Sequence, residues 1–222
     1  LLYNSIPSVN NADWHLIVSN DFTKRSVDYL YQKYKLPSFI TPYLLHKGIN
    51  LNDFDTFFTP KLKNLLPEPF KFIDLEKGVK RLASEVFASR PIGIFGDYDV
   101  DGATSAAILS KYLEQCGCKT FIHIPDRFLE GYGPNIDAMN KLAADHHLII
   151  CVDCGTDSEK AIRVATDSGV DVIVIDHHKS ETFSESAYAV INPNRFDEKN
   201  TFPYLCAAGV VFFFLVFFYI IV

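Results

Sequence analysis

The sequence predicts an α/β fold, a parallel sheet flanked by helices, with a small mainly helical segment ahead of it. Three observations carry that prediction. Apolar, β-rich runs end directly in aspartate at Ile92–Gly96 before Asp97, Leu148–Val152 before Asp153, and Val172–Ile175 before Asp176. Helical stretches alternate with these runs, the pattern of parallel strands buried on both faces. At 222 residues, 48% hydrophobic and 14% aromatic, the chain can fill one core with a smaller appendage and is not disordered.

Residues 1–73 read as a helical lead-in. A polar start is followed by short helices from Ser26 to Tyr34 and from Pro37 to Gly48, after which Pro60, Pro67 and Pro69 break the pattern into a linker. Asp74 is placed to cap the next helix, whose Val79, Leu82, Ala83, Val86 and Phe87 form the stripe of a helix lying on a core. Residues 74–204 then form the main domain. Strands are expected at 92–96, 119–124, 148–152 and 171–175, with a short one at Tyr188 to Ile191; helices at 102–116, 134–146 and 157–168. Such βα alternation implies right-handed crossovers and a covered sheet.

Residues 205–222 carry no charged or strongly polar side chain, which touches the lower limit for a membrane span. No basic residue follows to fix an orientation. A buried core helix is the plainer reading and no membrane partner is expected. Phe212 to Val222 is nevertheless apolar all round, and an aberrant end is expected there.

The formal charge of −6 does not announce a nucleic-acid binder, although cations held by clustered acids could offset it. Five cysteines without framework spacing suggest reduced thiols and a cytoplasmic location. Cys151 and Cys154 resemble half a zinc knuckle, but no second pair follows, so strand packing is the default.

In an open α/β sheet, chemistry lies beyond the carboxyl ends of the strands. Asp97, Asp153, Asp176, His177 and His178 therefore converge on one edge. Asp97-Tyr98-Asp99-Val100-Asp101-Gly102 imitates an EF-hand loop, but its twelfth position is Ile108 where a carboxylate is needed. A phosphatase-like Asp-x-Asp reading leaves His177 and His178 without a role. Helix capping needs one acid, whereas three acids at 97, 99 and 101 repel one another unless a cation neutralises them. Metal ligation is favoured, with Gly102 and small residues such as Ser105 letting backbone or phosphate approach. A second triplet, Asp145-His146-His147, precedes a strand and is expected at the opposite, outer surface. Arg127, in the loop after residues 120–124, is suited to forking onto a phosphate; the alternative is a structural pair with Glu130. Carboxylates plus imidazole suit Mn²⁺ or Mg²⁺, and three or more acids suffice for a two-metal centre.

The segments Gly96–Ser105, Pro125–Phe128 with Glu130–Gly133, Val152–Gly155, Asp176–His178 and Ile191–Pro193 occur in the order that resembles the DHH phosphoesterases. The likeness extends to Phe58–Pro60, Leu65–Pro67 and Leu205–Val210. It is strongest toward the single-stranded-DNA exonucleases of that family. What the resemblance implies is hydrolysis of single-stranded DNA from its 5′ end with Mn²⁺ or Mg²⁺, in recombination and repair, alongside repair proteins. By the same resemblance, Asp99, Asp101, Asp153 and His177 are metal ligands with Asp153 bridging, and His178 sits at the scissile phosphate. Asp97 stands among the metal-binding acids, where it and Asp176 orient ligands and histidine tautomers. Arg127 and Ser105 are expected on phosphate or DNA. Members of the family continue into further domains, and Phe213 to Val222 is read as departing from the family pattern. Together with Leu1 in place of methionine, this gives the expectation of a shortened or frame-shifted copy with impaired activity. The alternatives are a non-catalytic remnant and a phosphoesterase of smaller nucleotides.

Overall fold

The computed structural model describes residues 6–7, 13–14, 24–37, 39–61, 65, 72–199 and 202–222. They fall into two units, Leu1–Pro67 and Glu68–Val222. In the first, β1 (Ile6–Pro7) pairs antiparallel with β2 (Asp13–Trp14). Helices α1 (Lys24–Tyr34), α2 (Ile40–His46) and α3 (Phe54–Phe58) follow, with Leu30, Leu44 and Phe54 forming a small core. The expected linker about Pro67 and Pro69 lies outside the described residues.

The second unit opens with α4 (Leu75–Phe87) and β3 (Ile92–Gly96). There follow α5 (Val100–Gln115), β4 (Thr120–His123), α6 (Ile136–Asp145), β5 (Leu148–Val152), α7 (Glu159–Asp167), β6 (Asp171–Ile175) and β7 (Ala189–Ile191). The last element is α8 (Ala207–Ile221). The five strands run in the order β4-β3-β5-β6-β7, every neighbouring pair parallel. The parallel sheet flanked by helices is thus the architecture observed.

Side chains alternate across the sheet, so each strand feeds two layers. Ile92, Ile94, Ile150, Ile173 and Ile191 pack with α4, α5 and α8; Phe95, Ile149, Cys151, Val172 and Val174 pack with α6 and α7. Strand order reverses between β3 and β5, which opens a crevice at their carboxyl ends, the usual ligand position in such sheets.

The apolar C-terminal helix belongs to the core. Val210, Phe214 and Phe218 are buried in the α4–α5 layer, while Tyr219 to Val222 are exposed. Burial from both the sheet and α5 explains why α8 shows no single apolar stripe. No helix among the described residues is long and apolar enough to cross a membrane.

Two expectations are corrected. Asp74 does not cap α4 with its side chain: its backbone is left-handed (φ +62°), and Oδ2 instead accepts from Val190 N and Arg195 Nη1. His146 is not at the surface. It is buried, with Nδ1 2.8 Å from Leu142 O and its ring edge-on to Phe121, because α6 ends against the sheet; of the two histidines only His147 is exposed.

Candidate metal centre

β3 ends at Gly96, and the chain turns through Asp97 and Asp99 into α5. The turn is tight: a Cβ on Gly102 would lie 2.5 Å from Asp97 O, so only glycine lets the first turn of α5 rest on that backbone. Asp99 is the N-cap, its Oδ1 accepting from Asp101 N (2.8 Å) and Gly102 N (3.0 Å). The Gly102 bond is the main reason its carboxyl is held below the usual range. Asp101 caps a different helix, accepting from Ala207 N (2.7 Å) and Ala208 N (2.9 Å) at the start of α8. Capping therefore occupies both of these acids, but not Asp97. Asp97 is buried, its Oδ1 has no hydrogen-bond partner, and burial pushes its pKa up.

Asp153 follows β5 in a left-handed conformation, φ +61°, which aspartate tolerates better than most residues. Both of its carboxylate oxygens are buried and accept no hydrogen bond. Nε2 of His177 lies 3.3 Å from Asp153 Oδ1 and 3.6 Å from Asp101 Oδ2, an electrostatic approach without hydrogen-bond geometry. Burial, followed by the charge of Asp101 and the closeness of Asp99, pushes the Asp153 carboxyl up to about 8. An unneutralised acidic pocket of this kind costs energy until a cation enters it.

Two groups of side chains offer ligand atoms within 4.8 Å of one another: Asp97, Asp99 and Asp153, and Asp153, His177 and His178. Asp153 belongs to both, whereas Asp101 belongs to neither. Hard carboxylate oxygens with imidazole, both oxygens of Asp153 lacking a hydrogen-bond partner, fit a hard divalent ion such as Mn²⁺ or Mg²⁺.

Asp176 is held on every side. Oδ1 accepts from His177 N (2.7 Å), His178 N (3.2 Å) and His178 Nδ1 (2.7 Å); Oδ2 accepts from Thr156 Oγ1 (2.6 Å) and Thr156 N (3.2 Å). Burial works to raise its pKa, but the His178 and Thr156 bonds outweigh it and leave the group below its ordinary value. The same bond pushes His178 up to about 9 against its own desolvation. Asn192 extends the network, donating to Thr156 Oγ1 (3.0 Å) and His178 O (2.9 Å), and Asn194 Nδ2 donates to His177 O. Tyr132 Oη lies 3.3 Å from His178 Nδ1 and donates to the main-chain oxygen of Asp153 (3.4 Å). Burial, with the charge of Asp176, keeps this phenol neutral.

The remaining predicted residues divide. Arg127 is exposed, its guanidinium 5.5 Å from the Tyr98 ring centroid. It does not pair with Glu130, which takes Asp126 N, Asn135 Nδ2 and His123 Nε2 instead and is held down to about 2 by those bonds. Ser105 is fully buried with no partner for its hydroxyl; it faces inward from α5 and is not at the rim where phosphate contact was expected. Thr156, Asn192, Asn194 and Tyr132 have no assigned role in the sequence reading. One signal was present for Asn192: β7, like β3, β5 and β6, runs directly into a polar residue.

The sequence profile of the DHH family, N-terminal domain, matches residues 91–220, so the likeness includes most of the apolar segment that the sequence reading set apart. The chain is similar to the single-stranded-DNA-specific exonuclease RecJ of Bacillus subtilis (strain 168), 33% identical over 146 residues, covering 65% of this chain and 19% of that protein. Its likeness to RecJ of Escherichia coli (strain K12) is 33% over 154 residues, 68% of this chain and 26% of that one. It thus spans roughly a quarter or less of these curated relatives. A crystal structure of exonuclease RecJ bound to manganese aligns with a TM-score of 0.60 and 30% identity over 67% of this chain and 38% of that chain. RecJ from Thermus thermophilus, in complex with Mn²⁺, shares the fold, with a TM-score of 0.64 and 24% identity over 86% of this chain and 26% of the other.

Proposed function

The chain belongs to the DHH family, and from that membership we propose that its acidic rim holds Mn²⁺ or Mg²⁺ and hydrolyses phosphodiester bonds of single-stranded DNA from the 5′ end. The observation that carries the reading is Asp153. Its two oxygens are buried without a hydrogen-bond partner, and it is common to both ligand groups. The single-stranded-DNA specificity named for the RecJ relatives, and the manganese in a solved RecJ, support the substrate and the ion.

Asp97, Asp99, Asp153 and His177 would hold the ions, with Asp101 near His177 as a further carboxylate. Divalent ions, when bound, draw charge from phosphate oxygens and make water more acidic. The chain's own residues do the positioning. Gly102 and the Asp99 cap fix Asp97 and Asp99 on one side of the crevice; the left-handed turn at Asp153 aims its carboxylate from the other. His178, carrying a proton through its bond to Asp176, supplies positive charge and a hydrogen-bond donor to a phosphate oxygen. Thr156 and Asn192 keep Asp176 and the His178 backbone in register, and Tyr132 supports the imidazole. Arg127, at the outer end, meets a neighbouring phosphate.

The test is release of nucleotides from a 5′-ended single strand with Mn²⁺, compared with release from short nucleotides. Asp153→Ala is expected to abolish Mn²⁺-dependent release; undiminished release from that variant would refute the assignment.

A further inference from the structure

The turn after β4 displays two large apolar side chains to solvent beside the proposed centre. Phe128 is 93% exposed and Leu129 87% exposed. The turn that carries them is tightly fixed. Asp126 Oδ1 accepts from Phe128 N (2.8 Å) and Leu129 N (3.0 Å), and Asp126 O accepts from Glu130 N (2.8 Å). Glu130 closes back on Asp126 N (3.0 Å) and is itself held by His123 (2.9 Å) and Asn135 (3.0 Å). These bonds fix the shape of the turn, and none of them involves the two apolar side chains.

A chain of ring contacts joins this turn to the centre. His178 lies edge-on to Tyr132 (5.9 Å), Tyr132 edge-on to Tyr98 (6.3 Å), and Arg127 sits over Tyr98 (5.5 Å). Next to Arg127 in the turn stands the exposed ring of Phe128, so a guanidinium and a free aromatic face are offered by adjacent residues. That pairing of chemistries, phosphate binder beside flat apolar face, matches a nucleotide with an unstacked base.

We propose that Phe128, with Leu129 beside it, is a stacking platform for an unpaired base flanking the phosphate held at the centre. The proposal rests on the phosphoesterase reading above. A base locked in a duplex has no free face to offer, so the platform also favours single strands.

The test uses the full chain with an oligo(dT) of about 12 nucleotides, long enough to span one such site, an abasic strand of equal length, and Mn²⁺ alone. Phe128→Ala is expected to weaken oligo(dT) binding about tenfold and to leave abasic binding unchanged, the size of one lost base–aromatic stack. Leu129→Ala is expected to shift in the same direction, more weakly. In Phe128→Trp, oligo(dT) and not the abasic strand is expected to quench fluorescence, read against the parent chain with its single tryptophan. Equal loss on both strands, or no loss on either, overturns the platform and marks the turn as a surface for another protein. Mn²⁺ binding, followed by calorimetry, is separate: if it survives in Phe128→Ala while the two strands behave alike, only the platform fails. If the parent chain binds no Mn²⁺, the phosphoesterase reading fails whatever the strands show.

Discussion

The carboxylate of Asp101 accepts a 2.7 Å hydrogen bond from the amide of Ala207, a residue 106 positions further along the chain. An acid on the rim of the candidate centre is thereby also the cap of α8, whose own N-cap residue, Cys206, makes no side-chain cap bond. Asp101→Ala should lower stability by about 1 kcal/mol, the usual value of a lost cap. Amide hydrogen exchange should quicken first at Ala207 and Ala208. Unchanged protection there would contradict the coupling between rim and helix.

Asp153→Asn keeps a residue type that tolerates the left-handed backbone but removes a carboxyl whose ionisation burial and the neighbouring acids oppose. The metal-free variant should be more stable than the parent by about 1–3 kcal/mol. Thermal melts with chelator and with Mn²⁺ check this: the parent should gain from the ion, the variant should not.

Gly102→Ala places a methyl group 2.5 Å from Asp97 O and 2.7 Å from Asp97 Cα, both backbone atoms that cannot swing aside. Overpacking of this kind costs about 1–3 kcal/mol. Because the displaced backbone carries Asp97, Mn²⁺ affinity measured by calorimetry should fall with stability.

Thr156→Val removes the 2.6 Å bond to Asp176 Oδ2 and leaves Asn192 Nδ2 one partner short. Loss of a buried bond to a charged acceptor should cost about 1–3 kcal/mol by urea unfolding. Thr156→Ser, which keeps the hydroxyl, should recover most of it.

Glu159 accepts from Ser184, Ser186 and Arg163, which hold its carboxyl at about 2, below the ordinary 4.5. A carboxyl depressed in the folded state binds its proton less readily there than in the unfolded chain. Its contribution is therefore complete above pH 4.5 and lost as pH falls toward 2. Glu159→Gln should be less stable than the parent near neutral pH. Unfolding midpoints taken from neutral pH down toward 2 should show the gap closing on the acid side. A constant gap would show that the charge of Glu159 is not involved.

The sheet could be read from the sequence because its strands are continuous apolar runs punctuated by aspartate. Ile92–Gly96, Leu148–Val152 and Asp171–Ile175 were visible on that ground alone. Helix starts were off by two residues in either direction: α5, capped by Asp99, begins at Val100 where 102 was expected. The helix expected from 134 begins at Ile136, because Asn135 Oδ1 takes Ala138 N. What periodicity could not carry was long-range polar pairing. Asp74 joins Val190 and Arg195, more than a hundred positions away, and nothing in its neighbours signals this. His146 reads as surface by its triplet, yet the end of α6 tucks it under Phe121. At the rim, strand-end position located Asp97, Asp153 and His177. Which acid would spend its oxygens on a helix amide, as Asp101 does, depends on where α8 docks.

The crossover topology has a kinetic corollary. Asp97, Asp153 and His177 follow three different strands, β3, β5 and β6, so a divalent ion has little to grip until those strands lie side by side. Parallel pairings between remote segments are the slow part of assembling such a sheet. Capture of an ion at the proposed centre would therefore timestamp the closing stage of folding: a chelator should leave the early collapse untouched and subtract only from the final, locked state.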